Sequence, residues 1–412
     1  MNTTTARTPL LAPFNQMPAA ARAVQTLFKH LSVGHLTVHW PDGQVQQAGS
    51  SDGLKATLVM HNWQPCVAAV RSGDIGFAES YVAGDWSSPD LPTLLQVLAA
   101  NRQALDGIIF GHWAARLLHR ARHWLNRNTK ANSRKNIHAH YDLGNAFYSL
   151  WLDPSMNYSS AWFQTPTQGT PSAEAFTAAQ HAKVRRVLDE AGVTAGSRVL
   201  EIGCGWGALA EMGTATLGAH VTGVTLSTEQ LAFAQDRLAR AGFSSQADLR
   251  LQDYRDIADG PYDAIASVEM VEAVGQAYWP TYFATVSRLL KPGGKACIQS
   301  IVIQDHLFER YLKSTDFIQQ YIFPGGCLPS PEAFRQQAEV QGLEVVNELA
   351  FGVDYADTCH IWRQRFLARK DEVLALGFDE RFLRIWEFYL AYCEAGFRTG
   401  DIDVMQFTLV KH

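Results

Sequence analysis

Val199-Leu200-Glu201-Ile202-Gly203-Cys204-Gly205-Trp206-Gly207 is a short apolar run that ends in an acid and passes directly into three glycines at alternate positions. Such a run reads as a buried strand, and the glycines let the backbone turn tightly at its carboxyl end, where doubly wound sheets bind ligands. The acid two residues before the first glycine suits a cationic sulfonium ligand better than a dinucleotide pyrophosphate. Working outward, Arg198–Ile202 leads through the loop into a helix to Leu217, and His220–Thr225 into a helix to Ala241. Leu249–Leu251 and Tyr262–Val268 supply two further strands. Leu290-Lys291-Pro292-Gly293-Gly294 reads as a helix-ending turn before a fifth strand, Lys295–Ile301. Strand and helix in alternation imply a parallel sheet with right-handed crossovers.

The candidate ligand residues fall at successive strand ends. Glu201, Gly203, Gly205 and Gly207 belong to the first. Thr225, Ser227 and Gln230 follow the second, where hydroxyls and an amide can hold a ribose in place of the usual acid. Asp253, with Tyr254 beside it, follows the third, and its carboxylate is expected to accept an adenine amino group.

Length and composition bound the rest. A chain of 412 residues exceeds the usual size of one hydrophobic core, and 47 % apolar with 18 % charged residues describes a folded globular protein. A net charge of −5 argues against a general nucleic-acid binder. The six cysteines form neither a CxxC pair nor a cluster at zinc spacing, so neither a metal nor a disulfide framework is expected. No stretch approaches the roughly 18 uncharged residues of a spanning helix.

Four segments are predicted: a flexible arm over 1–20, a small α+β domain over 21–112, a basic-aromatic connector over 113–135 and a catalytic domain over 136–412. In the second segment, Leu36–Trp40, Pro41-Asp42-Gly43 and Gln44–Gln47 read as a hairpin. Thr57–Met60 and Cys66–Val70 read as strands, and Pro92–Leu98 as the start of a helical region. The connector carries Arg116, Arg120, Arg122, Arg127, Lys130, Arg134 and Lys135 with Trp113, Leu117, Leu118, Trp124 and Leu125 interleaved. It is either a solvated interdomain helix or a membrane-surface patch, since cations near anionic lipid gain about 1 kcal/mol each.

The ordered motifs resemble those of class I S-adenosylmethionine (SAM)-dependent methyltransferases, and the words around them resemble cyclopropane fatty acid synthases. Those words are His140-Tyr141-Asp142-Leu143-Gly144-Asn145, Met156–Ala161, Val271-Glu272-Ala273-Val274-Gly275, Tyr321–Pro329 and Glu394–Arg398, and the likeness runs from about residue 75 to the end. The resemblance implies a Rossmann-like domain with a mostly parallel seven-stranded sheet, preceded by a smaller α+β domain. It implies SAM as cofactor, with Tyr141 and Tyr158 folded over it, and transfer of a one-carbon unit to the cis double bond of unsaturated phospholipid acyl chains. It further implies a cytoplasmic protein in transient contact with the inner membrane surface, and a homodimer. A weak alkene nucleophile calls for a dry, apolar approach, which Phe147, Trp151, Trp162, Phe163, Phe317, Tyr321 and Phe323 are suited to line.

The last requirement is a base for the carbocation left by methyl transfer. In the resembled family it is a bound bicarbonate, held by a cysteine, a glutamate, a histidine, an isoleucine backbone and a tyrosine. Carried over, the glutamate is Glu272, the isoleucine Ile301 and the tyrosine Tyr355, whereas the cysteine has become Ser160 and the histidine Gln299. A glutamine cannot share a proton with the anion. Two outcomes of one first step therefore stay open: a cyclopropane, or a methylene- or methyl-branched chain. Rival readings are a methyltransferase of small polar metabolites or proteins, and a lipid- or SAM-binding protein without catalysis. The first has no need of the aromatic segments, and the second rests on Ser160 and Gln299 alone.

Overall fold

A computed structural model describes residues 17–109, 143–165 and 169–412. The connector 113–135 and Tyr141 lie outside the described residues, as does nearly all of the expected N-terminal arm. The chain divides into two compact units, residues 1–112 and 113–412.

In the first unit β1 (His35–His39) and β2 (Val45–Gly49) form the expected antiparallel hairpin, with Leu36 opposite Ala48. β3 (Lys55–Met60) runs parallel to β1, and a two-residue β4 (Trp86–Ser87) completes the order β2-β1-β3-β4. The strand expected over Cys66–Val70 is instead the beginning of a helix, Gln64–Val82. Pro65 in its first turn has the fixed φ a helix start favours, and Ala68 and Ala69, the best helix formers, offset the β-branched Val67 and Val70 on either side. A helix over Leu91–Ala100 is capped by Asp90, whose carboxylate accepts the Thr93 N–H.

The second unit is built on a seven-stranded sheet of order β10-β11-β9-β8-β5-β6-β7. Its strands are β5 (Arg198–Ile202), β6 (His220–Thr225), β7 (Ala247–Leu251), β8 (Tyr262–Val268), β9 (Leu290–Ile303), β10 (Leu343–Ala350) and β11 (Ile402–Lys411). β5 to β9 pair in parallel, and β11 is antiparallel to both β9 and β10. Alternate residues feed two cores. Leu200, Ile202, Ile265 and Ile298 join Tyr282, Phe283 and Phe407 on one face, while Val199, Ala264 and Cys297 meet Val184, Val187 and Leu188 of the helix Ala173–Glu190 on the other. The turn expected at Leu290–Gly294 is absorbed into the long strand β9 as a register shift, with Leu290 opposite Tyr262 and Lys295 opposite Ala264. Gly293, at φ +73, makes that irregularity tolerable.

The chain leaves β5 toward β6 and β7 on one side, then returns to β8 on the other. The crevice between the carboxyl ends of β5 and β8 is therefore the topological switch point, where such sheets bind ligands.

Candidate active site

The cofactor half surrounds the end of β5. Glu201 is buried, one carboxylate oxygen has no hydrogen-bond partner among the described residues, and burial raises its pKa to about 8, opposed by the nearby Lys183 ammonium. An orphaned buried carboxylate is costly unless a cation joins it. The three glycines differ in what surrounds them. A Cβ on Gly205, at φ +48, would meet nothing within 4 Å among the described residues, so this glycine borders space that they leave open. A Cβ on Gly207, at φ +82, would come 2.9 Å from the Ala234 Cβ, so this one lets two helices approach. A Cβ on Gly203, at φ +88, would strike the Met270 side chain at 2.5 Å.

Thr225, Ser227 and Gln230 are buried and bonded to one another. The Thr225 hydroxyl donates to Gln230 Oε1 at 3.0 Å, and Ser227 caps the helix Thr228–Ala241 by accepting the Gln230 N–H. Asp253 does not present a free carboxylate at the expected adenine position: Arg255 grips it through Nε at 2.8 Å and a terminal nitrogen at 2.6 Å. Tyr254 is buried edge-on to Tyr282, its hydroxyl without a partner among the described residues. Tyr158 donates to or accepts from the Tyr389 hydroxyl at 2.7 Å and packs against Tyr148, Trp151 and Trp362. Of the aromatics expected along an acyl path, Phe147 and Trp151 join Trp386 of the helix Glu380–Thr399 in that cluster. Phe317 stacks on Tyr321, and Phe323 meets Tyr389.

The reacting half lies beyond β8, around a residue the sequence reading passed over. Glu269 follows the strand at φ +55, and its carboxylate accepts three hydrogen bonds: from the Ser160 backbone N–H at 3.0 Å, Gln299 Nε2 at 2.9 Å and the Tyr355 hydroxyl at 2.7 Å. Ser160, Gln299 and Tyr355, remote in sequence, thus converge on one carboxylate. The Ser160 hydroxyl turns away to donate to the Ala161 carbonyl. Its segment is held extended because Ala161 N–H is bound by Thr358 Oγ1 and Phe163 N–H by Asp354, both on the helix Gly352–Ala368 that also carries Tyr355. Gln299 on β9 faces Gln406 on β11, and Gln406 Nε2 donates to Gln299 Oε1 at 3.0 Å while Arg186 donates to Gln406 Oε1 at 2.6 Å. That chain of donors fixes the Gln299 amide with its nitrogen toward Glu269.

Glu272, three residues on, accepts the Ile301 N–H at 3.2 Å and the Ser300 hydroxyl at 3.1 Å. Burial, then the adjacent Glu269 charge, raises its pKa to about 8. Burial also raises Glu269, against the three donors and Lys183. Lys183 itself is fully buried, bonded to Ser159, and burial lowers its pKa to about 8. Ser267 Oγ donates to the Ile202 carbonyl at 3.0 Å and so ties the β8 end to the β5 end. The signal that could have exposed Glu269 was local: an acid immediately after a strand of this fold, three residues before another.

The family profile described as mycolic acid cyclopropane synthetase matches residues 128–407. The chain belongs to that family. A tuberculostearic acid methyltransferase of Mycobacterium tuberculosis is 41 % identical over 402 residues, 97 % of this chain and 93 % of the relative. The cyclopropane-fatty-acyl-phospholipid synthase of Escherichia coli K12 is 35 % identical over 337 residues, 82 % and 83 % of the two chains. A solved cyclopropane synthase from Mycobacterium tuberculosis aligns with TM-score 0.62 and 30 % identity, over 68 % of this chain and 98 % of that one. A mycolic acid cyclopropane synthase solved with S-adenosylhomocysteine (SAH) aligns equally well, at 31 % identity. This cyclopropane synthetase relative is a SAM-dependent methyltransferase. Its residues fit SAM: the one Glu201 oxygen without a partner among the described residues suits a cationic methionyl group, and the space beside Gly205 admits the ligand backbone. They do not fit bicarbonate. The donors at the carried-over positions are already engaged: Ser160 N–H, Gln299 and Tyr355 by Glu269, the Ile301 N–H by Glu272, and the Ser160 hydroxyl by the Ala161 carbonyl.

Proposed function

We propose that this enzyme transfers a one-carbon unit to the cis double bond of unsaturated acyl chains in membrane phospholipids. The observation that carries the reading is the half-buried acid pair Glu269 and Glu272 at the carboxyl end of β8, beside the glycine loop of β5. A small polar metabolite or a protein would have no need of the aromatic side chains, Trp151, Tyr158 and Trp362 among them, that lie with this site. SAM, when bound, supplies the electrophilic methyl. The protein's part is to orient the alkene, exclude water through the Tyr158, Trp362 and Tyr389 cluster, and place carboxylates beside developing positive charge.

Ring closure to a cyclopropane is one outcome. The altered anion site, with Ser160 turned away and Gln299 in place of an imidazole, favours the second reading, a methylene- or methyl-branched chain, as does likeness to a relative named for tuberculostearic acid. The membrane contact is assigned to the basic connector 113–135, with the enzyme at the cytoplasmic face, and the homodimer is carried over from the resemblance. Among the described residues no helix is long and apolar enough to cross a membrane. Incubation with SAM and vesicles of unsaturated phospholipid should release SAH and add one carbon to the fatty acids. NMR then separates ring protons from vinylic or methyl-branch protons. No SAH with any unsaturated lipid would overturn the proposal.

A further inference from the structure

We infer that Glu269 occupies the place of the family's bicarbonate and is itself the proton acceptor of the reaction, which therefore proceeds without an added anion. The inference rests on the proposed lipid methylation and adds to it the identity of the base. A carboxylate and a bicarbonate offer the same planar pair of oxygens, and here that pair takes donors from Ser160, Gln299 and Tyr355. The backbone says how the side chain gets there. At φ +55 Glu269 holds a left-handed conformation that glycine adopts freely and glutamate rarely does. Three hydrogen bonds to one carboxylate, one of them from a glutamine locked by Gln406 and Arg186, compensate that cost. Glu272 takes the Ile301 N–H and the Ser300 hydroxyl instead, so Ser160, Gln299 and Tyr355 all converge on Glu269. Glu269 keeps partial access to the crevice, and burial makes it a stronger base than an ordinary carboxylate.

The step balances without an oxidant or reductant. Methyl transfer breaks the S–C bond of SAM, forms a C–C bond to one alkene carbon, releases SAH and leaves the other carbon cationic. A C–H bond of the new methyl then breaks and its proton passes to a Glu269 oxygen. The electron pair closes the cyclopropane directly, or, after a hydride shift between the two former alkene carbons, forms an exocyclic methylene.

The test compares the natural enzyme with Glu269→Gly and Glu269→Gln in carbon-dioxide-stripped buffer, with and without added bicarbonate, by SAH release on unsaturated phospholipid vesicles. The natural enzyme should be indifferent to bicarbonate. Glu269→Gly should lose about a hundredfold or more in stripped buffer, the scale of a lost general base, and recover on adding bicarbonate, because glycine accepts φ +55 and leaves the three donors facing an empty carboxylate-sized space. Glu269→Gln fills that space without a proton acceptor and should stay inactive in both buffers. Carbon-13 NMR of labelled bicarbonate should show a bound signal with Glu269→Gly and none with the natural enzyme, and SAM calorimetry on all three reports the fold. A natural enzyme that stops in stripped buffer and revives with bicarbonate overturns the inference and leaves the lipid reaction standing. So does Glu269→Gly at full activity without the anion. Absence of SAH from every form, even with bicarbonate, overturns the proposed reaction and the inference with it.

Discussion

Gly205→Val and Gly207→Val, two residues apart in one loop, should fail in opposite ways. Both positions are left-handed, at φ +48 and +82, so a β-branched residue costs about 1–2 kcal/mol at either through backbone strain. At Gly205 nothing else follows, because a Cβ there meets no atom of the described residues within 4 Å. At Gly207 the Cβ would lie 2.9 Å from the Ala234 Cβ and 3.2 Å from its Cα, between helices that cannot give way independently. Overpacking of that kind adds about 1–3 kcal/mol, for a total of about 2–5. Gly207→Val should therefore show a large drop in urea midpoint. Gly205→Val should keep most of its stability yet place an isopropyl group in the SAM space, lowering affinity about a hundredfold or more, ~2.7 kcal/mol. Urea denaturation and SAM calorimetry on both variants decide it. Unchanged SAM affinity in Gly205→Val, or equal stability loss in the two, would refute this assignment of open and packed sides to the loop.

Other consequences can be measured with the same preparations. Glu201 and Glu272 are both raised from 4.5 to about 8, so the folded ligand-free enzyme holds these protons more tightly than the unfolded chain. The stability they contribute is full below pH about 4.5 and lost as pH rises through about 8, and Glu272→Gln should flatten that decline in urea midpoints across the window. Bound SAM should flatten it too, by favouring ionised Glu201. Gln406→Leu leaves the Gln299 side-chain carbonyl without its donor and Arg186 with Glu190 as its acceptor, which costs about 1–3 kcal/mol and frees the Gln299 amide to turn. Turnover should fall while SAM affinity holds, checked by steady-state kinetics beside calorimetry. Replacing Arg116, Arg120, Arg122 and Arg127 with Ala should weaken sedimentation with anionic vesicles, by about 1 kcal/mol per cation, and the natural binding should weaken as salt rises.

The catalytic sheet was legible because its strands are buried on both faces and read as continuous apolar runs between glycines, Arg198–Ile202 and Tyr262–Val268 above all. The hairpin at Leu36 was legible from its Pro-Asp-Gly turn. Cys66–Val70 misled, since a short apolar run without periodicity is helix or strand according to its neighbours, and Pro65 was the neighbour that mattered. In the site, Ser160, Gln299 and Tyr355 could be named from the resemblance but not what they bind. Their shared partner depends on a backbone angle at Glu269 that no side-chain pattern displays. The Asp253–Arg255 pair was local enough to suspect, yet an acid two residues from a base is as often solvent-separated as bonded.

The left-handed backbone at Glu269 also bears on how such a site is acquired. Two of the four glycine codons become glutamate codons by a change at the second base alone. A fold that already holds a glycine at this position has the backbone in place before the acid arrives, and one nucleotide then delivers a carboxylate among donors suited to receive it. Dependence on a dissolved anion and independence from it would lie a single mutation apart, in either direction, with no intermediate that has to refold.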